Sequence, residues 1–151
     1  MSRTLVTGAS GWIGGRLAAA LEDLGTDVRA AAFHRLPSVG VAVRGDLRDR
    51  AHAEALTRGT TTVYHCAAAL APVESDRVAD EINHRATLTL ARAAARAGVE
   101  RFVFVSSHAA IGWRADAGLI AEDTLCEPTT PYARSKRAAE LRVPFYEYRG
   151  Q

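Results

Sequence analysis

Tyr132 and Lys136 lie four residues apart in a segment with a helical pattern, and this pair is the first candidate for chemistry. Side chains at this spacing share one face of a helix, which brings the ammonium group close to the phenol. A neighbouring positive charge favours the phenolate, and such a tyrosine serves as a general acid and base for hydroxyl–carbonyl interconversion. The spacing alone also fits an exposed pair on a helix surface.

Lys136 is the only lysine among the 19 basic residues of the chain, and all the others are arginine. A coding preference for arginine is the simplest explanation. A compact ammonium group nevertheless reaches a ribose hydroxyl where the planar guanidinium of arginine fits poorly. The one lysine therefore stands where this chemistry requires one.

A glycine-rich segment with the spacing G-x-x-G-x-x-G joins the first apolar run to a helical pattern and is the second candidate site. Glycines permit a tight turn and close approach of the backbone to a pyrophosphate, and the N-terminus of the next helix offers free N–H groups. A plain strand-to-helix turn is the alternative. The position of the glycine-rich segment after the first strand favours dinucleotide binding. The residues expected to contact the ligand are Gly8, Ser10, Gly11, Trp12, Ile13 and Gly14.

The end of the second predicted strand, residues 30–35, bears on the identity of the nucleotide. An acidic residue there bonds the ribose of NAD and is also usual in methyltransferases, whereas arginine accommodates the 2′-phosphate of NADP. This segment contains no acidic residue, and Arg35 lies just past the strand. We therefore favour NADP over NAD, with a solvated surface position for Arg35 and Arg16 as the alternative.

The chain predicts an α/β fold, a Rossmann-type doubly wound parallel sheet of about five strands with helices on both faces. The nearly continuous apolar run at 101–106 is typical of a strand buried on both faces. Ser106 and Ser107 end that strand, where a hydroxyl is placed to bond a substrate oxygen, although serines are also common in turns. The predicted strands are 3–7, 27–33, 39–44, 61–67 and 101–106, and the helices are 13–24, 49–58, 74–98 and 132–142. We expect Asp49 to be the N-cap of the second helix.

Composition restricts the function classes further. The chain has 151 residues, is 48% hydrophobic and carries a net charge of +2 with its basic residues scattered, so we expect one domain and neither nucleic acid nor membrane as a partner. No apolar run reaches the length of a membrane span, and no signal peptide is evident, so we expect a cytoplasmic protein. Cys66 and Cys126 are too few for a disulfide framework and lack metal-site spacing, so no metal is expected.

These residues together resemble the short-chain dehydrogenase/reductase superfamily, and most closely its extended branch, the NAD-dependent epimerase/dehydratase family. Five motifs follow the order of that family over residues 3–142, nearly the whole chain. They are T-G-x-x-G-x-x-G at 7–14, a segment similar to G-D-(L/I)-x-D at 45–49, one similar to V-(F/Y)-H-x-A-A at 63–68, the central Asn83, and F-V-(Y/F)-x-S-S with Y-x-x-S-K at 102–107 and 132–136.

The resemblance implies an NAD(P)-dependent oxidoreductase or epimerase that transfers hydride at the carbon of a hydroxyl or carbonyl group. Ser107 and Tyr132 would hold the oxygen of a small-molecule substrate, a nucleotide-sugar or a ketone or aldehyde, while Lys136 would hold the nicotinamide ribose. His65 is expected to pack beside the cofactor, and His108 and Trp113 either line the substrate pocket or are plain surface. The further residues implied in cofactor binding are Asp46, Leu47, Cys66, Ala67, Ala68, Asn83, Tyr132 and Lys136.

The chain departs from the family pattern after residue 142. Family members are about twice as long, so we divide the chain into a cofactor-binding domain at 1–142 and a tail at 143–151 and expect a truncated gene or fragment. The fifth strand would then keep an unpaired edge. The alternatives are an inactive cofactor-binding module or gene remnant, and an unrelated α/β domain with coincidental motifs. Helices at 78–97 and 132–142 would form a homodimer interface.

Overall fold

The structure is a computed structural model that describes residues 3–70, 75–112, 120–121 and 123–143. Its strands form one parallel sheet in the order β3-β2-β1-β4-β5. The order runs outward in both directions from β1 and β4, which confirms the predicted doubly wound α/β sheet. The strands are β1 (Arg3–Thr7), β2 (Asp27–Ala32), β3 (Val41–Arg44), β4 (Thr60–His65) and β5 (Arg101–Phe104).

Helices cover both faces of the sheet because neighbouring residues of a strand point to opposite sides. On one face, Leu5 packs with Leu56 and Leu90 from two helices that contact each other. On the other face, Val6 packs with Ala18 of the first helix. The helices are α1 (Trp12–Asp23), α2 (Arg50–Thr57), α3 (Asp76–Ala79), α4 (Ala86–Ala97) and α5 (Pro131–Glu140).

Side chains cap the helices that border the candidate site. Asp49 accepts a hydrogen bond from the backbone N–H of Ala51, which confirms the N-cap of α2. Thr130 accepts in the same way from Ala133, so α5 begins at Pro131 and places Tyr132 in its first turn. None of the helices in the described residues is long and apolar enough to cross a bilayer.

Two features of the fold differ from the sequence-based expectation. The run at 101–106 is not buried on both faces: β5 ends at Phe104, and its residues after exposed Arg101 are only half-buried, because β4 is its one partner among the described strands. The predicted helix at 74–98 is interrupted by a π-helical segment, Asp80–Arg85, between α3 and α4. A π-helical turn adds one residue to the turn and is frequent at functional sites.

The strands also end earlier than predicted, and this difference exposes residues of the candidate site. β2 stops before Phe33, and β4 stops at His65, before Cys66 and Ala67. Residue Trp113 lies outside the described residues. The domain boundary at 142 stays a prediction, since 144–151 lie outside them as well.

Candidate functional site

A cavity of about 560 Å³ opens at the carboxyl edge of the sheet. Each of the five strands contributes to its wall the residue that directly follows the strand. These residues are Gly8, Phe33, Gly45, Cys66 and Val105. Ligands of open α/β sheets bind in this crevice, beyond the carboxyl ends of the strands.

Most of the site residues expected from the sequence meet at this cavity, although they come from four separate segments of the chain. Ser107, Arg35 and Asn83 are the predicted site residues that do not line it. The predicted residues in the cavity wall are Gly8, Ser10, Gly11, Trp12, Ile13, Gly14, Asp46, Leu47, Cys66, Ala67, Ala68, Tyr132 and Lys136.

The glycine loop has no room for side chains at two of its positions. Gly8 has φ +68°, and a Cβ there would lie 2.7 Å from the backbone nitrogen of Ala67. A Cβ on Gly14 would lie 2.5 Å from the carbonyl oxygen of Gly8. Gly11 is the N-cap of α1, and no side chain caps this helix end. The loop is therefore a backbone cradle that directs the start of a helix into the cavity, as a pyrophosphate site requires.

The side of the cavity next to β2 and β3 is formed by an ion pair and aromatic rings. The guanidinium of Arg48 lies 2.6 Å from the carboxylate of Asp46, and 5.9 Å from the centre of the Phe33 ring. The hydrogen bond from Arg48 lowers the pKa of Asp46. His34 meets the edge of Phe33, with ring centres 4.5 Å apart. We refer to Phe33, His34, Asp46, Leu47 and Arg48 as the outer end of the cavity.

The two arginines considered for cofactor choice sit on the glycine loop. Arg35 donates from Nη2 to the carbonyl oxygen of Ser10 at 3.0 Å, and so reaches the loop although it does not line the cavity. The guanidinium of Arg16 lies 4.9 Å from the ring centre of Trp12, and both residues are exposed.

Lys136 lies on the opposite side of the cavity, which we refer to as the inner end. Its side chain is buried, and its Nζ donates to the carbonyl oxygen of Val105 at 2.7 Å and lies 4.1 Å from the centre of the Phe104 ring. Burial lowers the pKa of Lys136 to about 8, with Glu140 and Cys66 acting in the opposite direction. Tyr132 lies one turn earlier on α5 and lines the same wall.

The two serines after β5 have different surroundings. Ser107 accepts from the backbone N–H of Ala109 at 3.2 Å and caps a 3₁₀ turn, His108–Ala110, that packs against α5. Ser106 lines the cavity, and its buried hydroxyl has no hydrogen-bond partner among the described residues. A buried hydroxyl without a partner is costly. Of the two serines that the sequence places at the end of the strand, it is Ser106, and not Ser107 of the expected triad, that faces the cavity. Two adjacent serines give no signal that separates them.

Asn83 supports the cavity wall from behind. Its amide accepts from the backbone N–H of Ala69 at 2.7 Å and donates to the Ala69 carbonyl at 3.1 Å. The same amide nitrogen donates to the hydroxyl of Ser135 on α5 at 3.1 Å. The central asparagine therefore ties the segment after β4 to the helix that carries Tyr132 and Lys136.

His65 is fully buried and does not line the cavity, which corrects the expectation that it packs beside the cofactor. Burial, with a smaller contribution from Lys136, lowers its pKa to about 3, so the ring is neutral. Both ring nitrogens are hydrogen-bonded, one to the hydroxyl of Thr7 and the other to the hydroxyl of Thr87. His108 is exposed and also lies outside the cavity wall.

Comparison with known proteins connects this geometry to a family. The family model of the NAD dependent epimerase/dehydratase family matches residues 4–147. The chain belongs to this family. Two curated relatives are sterol demethylase protein B of Methylococcus capsulatus, 37% identical over 97% of this chain, and a 3 beta-hydroxysteroid dehydrogenase/Delta 5-->4-isomerase of Mycobacterium tuberculosis, 35% identical over 74%. The match covers 48% and 33% of those proteins, so the chain spans half their length or less.

Solved structures of epimerase/dehydratase relatives share the fold. A short-chain dehydrogenase/reductase superfamily protein from Agrobacterium tumefaciens, with bound NAD, superposes with a TM-score of 0.86 at 30% identity, over 95% of this chain and 44% of that one. MoeE5, in complex with UDP-glucose and NAD, gives a TM-score of 0.82 at 34% identity, over 93% of this chain and 47% of its own. The fold described above is that of the superfamily the motifs indicated.

Proposed function

We propose that this chain binds NAD(P) in the cavity and carries the Ser-Tyr-Lys machinery of an oxidoreductase or epimerase that acts at a hydroxyl or carbonyl carbon. One observation carries the proposal. The cavity brings the glycine loop to the same edge of the sheet as Tyr132 and Lys136, although the loop lies more than a hundred residues before this pair in the chain. Both superposed structures named above contain NAD, which supports a nicotinamide cofactor here.

The residues of the cavity fit such a cofactor. A pyrophosphate would sit on the cradle between Gly8 and Gly14, where added side chains would collide with backbone. Asp46 and Leu47 would contact adenine at the outer end of the cavity. The unpartnered hydroxyl of Ser106 is available to the nicotinamide half. Bound nicotinamide supplies the hydride acceptor or donor.

The side chains then handle the proton. Tyr132 would take or give the proton at the substrate oxygen, and Ser107 would donate a hydrogen bond to that oxygen. Lys136 would stabilise the phenolate and bond the nicotinamide ribose, and its ammonium group is already oriented by the Val105 carbonyl and the Phe104 ring. With its pKa lowered to about 8, Lys136 still carries a charge at neutral pH.

NADP is the proposed form of the cofactor. Residues 33–35 contain no acidic side chain that would bond the adenosine ribose. The guanidinium of Arg35 lies at the glycine loop, where it donates a hydrogen bond to the carbonyl oxygen of Ser10. Arg35→Ala should then weaken binding of NADPH while leaving NADH unaffected. Arg77→Ala is the matched control, since Arg77 is exposed and not part of the cavity wall. Equal loss for both cofactors would overturn the choice of NADP.

The substrate is proposed to be a nucleotide-sugar or another hydroxyl or carbonyl compound. MoeE5 binds UDP-glucose, and the mycobacterial relative is named as a steroid dehydrogenase, so both substrate kinds occur among relatives. We also propose a cytoplasmic homodimer that pairs through the helical segments at 78–97 and 132–142, with neither nucleic acid nor membrane as a partner.

Titration of the chain with NADPH and NADH tests the proposal, followed by turnover assays. Trp12 is 75% exposed in the glycine loop, so bound reduced nicotinamide should quench its fluorescence. Saturable quenching that Gly11→Val removes is the expected result. Tyr132→Phe should then abolish turnover and preserve binding. No binding by the folded chain would overturn the proposal, and binding without turnover would favour the alternative of an inactive cofactor-binding module.

A further inference from the structure

His65 lies at the centre of a buried hydrogen-bond chain that the mechanism above does not use. Its Nδ1 is 2.7 Å from the hydroxyl of Thr7, the last residue of β1, and its Nε2 is 2.8 Å from the hydroxyl of Thr87 on α4. Both threonines are buried. The ring therefore joins the strand that leads into the glycine loop to the helix that follows the π-helical segment.

The contacts determine which nitrogen of His65 carries the proton. Thr87 donates its single hydroxyl hydrogen to the carbonyl oxygen of Asn83 at 2.7 Å, because a carbonyl only accepts. Thr87 must then accept from Nε2–H of His65. The remaining Nδ1 accepts from the Thr7 hydroxyl, whose oxygen in turn accepts from the backbone N–H of Ala67 at 3.3 Å.

The resulting chain has one direction, from Ala67 through Thr7, His65 and Thr87 to the carbonyl of Asn83. Both ends are at the site, since Ala67 lines the cavity and the amide of Asn83 holds the segment after β4 and helix α5. Burial makes each member costly to leave unpaired.

The ring of His65 also reaches the site by a second route. It stacks on Phe104, with ring centres 5.8 Å apart and an interplanar angle of 27°. Phe104 is the aromatic ring next to the ammonium group of Lys136. His65 thus supports the lysine through an aromatic side chain and the wall of the cavity through hydrogen bonds.

We propose that His65, held as the Nε2–H tautomer between Thr7 and Thr87, is a positioning residue that sets the spacing between the glycine loop and the helix carrying Tyr132 and Lys136. Its effect on coenzyme affinity rests on the proposed function, whereas its effect on the cavity wall does not. Its hydrogen bonds transmit no proton, because each hydrogen is committed to one acceptor.

Nitrogen-15 NMR of the histidine side chains in the whole chain tests the proton position directly. We expect the neutral Nε2–H form at His65, in the absence and presence of coenzyme. An Nδ1–H form would overturn the proposal, because Thr87 would then have two acceptors for one hydrogen.

Two threonine variants separate positioning from plain stability. Thr87→Val removes the acceptor of His65, whereas Thr57→Val removes a buried helical threonine that also donates to the carbonyl four residues earlier but lies on α2, away from the cavity. Thr87→Val should speed amide hydrogen exchange at Ala67 and Ala69 and weaken NAD(P)H binding about fivefold to tenfold. When the two variants are compared at an equal loss of unfolding free energy, Thr57→Val should change neither amide exchange at Ala67 and Ala69 nor NAD(P)H binding.

The two readouts distinguish failure of this proposal from failure of the proposed function. Equal exchange rates at Ala67 and Ala69 in the two variants would overturn the positioning role. If the wild-type chain binds no NAD(P)H while Thr87→Val alone speeds exchange at these amides, the proposed function fails and the positioning role stands.

Discussion

The inner and outer ends of the cavity are held by different kinds of interaction. At the inner end, Lys136 is 2% exposed and bonded to a backbone carbonyl. Behind this wall, His65 is 1% exposed, and both of its nitrogens are hydrogen-bonded. At the outer end, the side chains of the Arg48–Asp46 pair are 48% and 32% exposed. Water competes for the outer contacts and not for the inner ones.

This difference sets the expected energetic scale at each end. An ion pair between exposed side chains contributes about 0–1 kcal/mol, since solvent screens it. Buried polar groups cost more when a partner is removed, because no water replaces it. The inner end therefore keeps a fixed geometry, whereas the contacts of the outer end rearrange at little cost.

Lys136→Met is the substitution at the inner end with the largest expected effect. The variant keeps a long apolar stem but loses the charge that we propose to stabilise the Tyr132 phenolate. We expect kcat to fall about 10²-fold to 10⁴-fold, the usual size of acid–base contributions. Steady-state kinetics beside Arg48→Ala provide the comparison, and an equal loss in both variants would refute the distinction between the two ends.

The stability of the wild-type chain should depend on pH through Lys136. Its pKa falls from 10.5 to about 8 on folding, so between these values the unfolded state binds more protons and the free energy of unfolding rises with pH. The rise should amount to about 3 kcal/mol. Urea unfolding at several pH values measures it, and Lys136→Met should lack this component. An unchanged slope in that variant would contradict the assignment.

Two alanine substitutions in the glycine loop should differ in their effects on stability and coenzyme binding. A Cβ on Gly14 would lie 2.5 Å from the Gly8 carbonyl oxygen, whereas a Cβ on Gly11 would lie 3.2 Å from the same atom. Gly14→Ala should destabilise the chain by about 1–3 kcal/mol and abolish coenzyme binding, while Gly11→Ala should be the milder change. Thermal unfolding with NAD(P)H titration tests this, and the reverse ranking would count against the backbone cradle.

The serine pair after β5 should respond in opposite directions. Ser107→Ala removes the cap of the 3₁₀ turn and should cost about 1 kcal/mol of stability. Ser106→Ala removes a buried hydroxyl without a partner and should leave the unliganded chain equally or more stable, while weakening coenzyme binding. Denaturant unfolding with and without coenzyme separates the two, and a loss of unliganded stability in Ser106→Ala would exclude the ligand-facing role.

The smallest effect is expected at the outer end. Arg48→Ala should lower the free energy of unfolding by less than about 1 kcal/mol, and the difference should shrink as salt is added. Urea unfolding at low and high ionic strength measures it. A salt-independent loss would mean that the pair is as shielded as the inner end.

Local patterns in the sequence were sufficient for the α/β fold, the glycine loop and the Asp49 cap, because turns, caps and strand alternation depend on neighbouring residues. The π-helical segment at Asp80–Arg85 was not predictable in this way, since no local pattern marks it. Its Asn83 bonds Ala69 and Ser135, which are distant in the sequence. The half-burial of β5 was missed because its apolar run resembles that of a strand covered on both faces. The unpaired edge expected for the fifth strand agrees with its place at the end of the sheet order among the described strands.

The candidate site shows the same division between features that local sequence predicts and features that tertiary contacts decide. The types and spacing of Gly8, Gly14, Tyr132 and Lys136 were sufficient to select residues that the structure brings to one cavity. The chemistry proposed for each depends on its own backbone or functional group. The tertiary structure decided that Ser106 faces the cavity, and that His65 bonds two threonines from distant segments. Such roles depend on partners brought together by folding, and no local pattern in the chain encodes them.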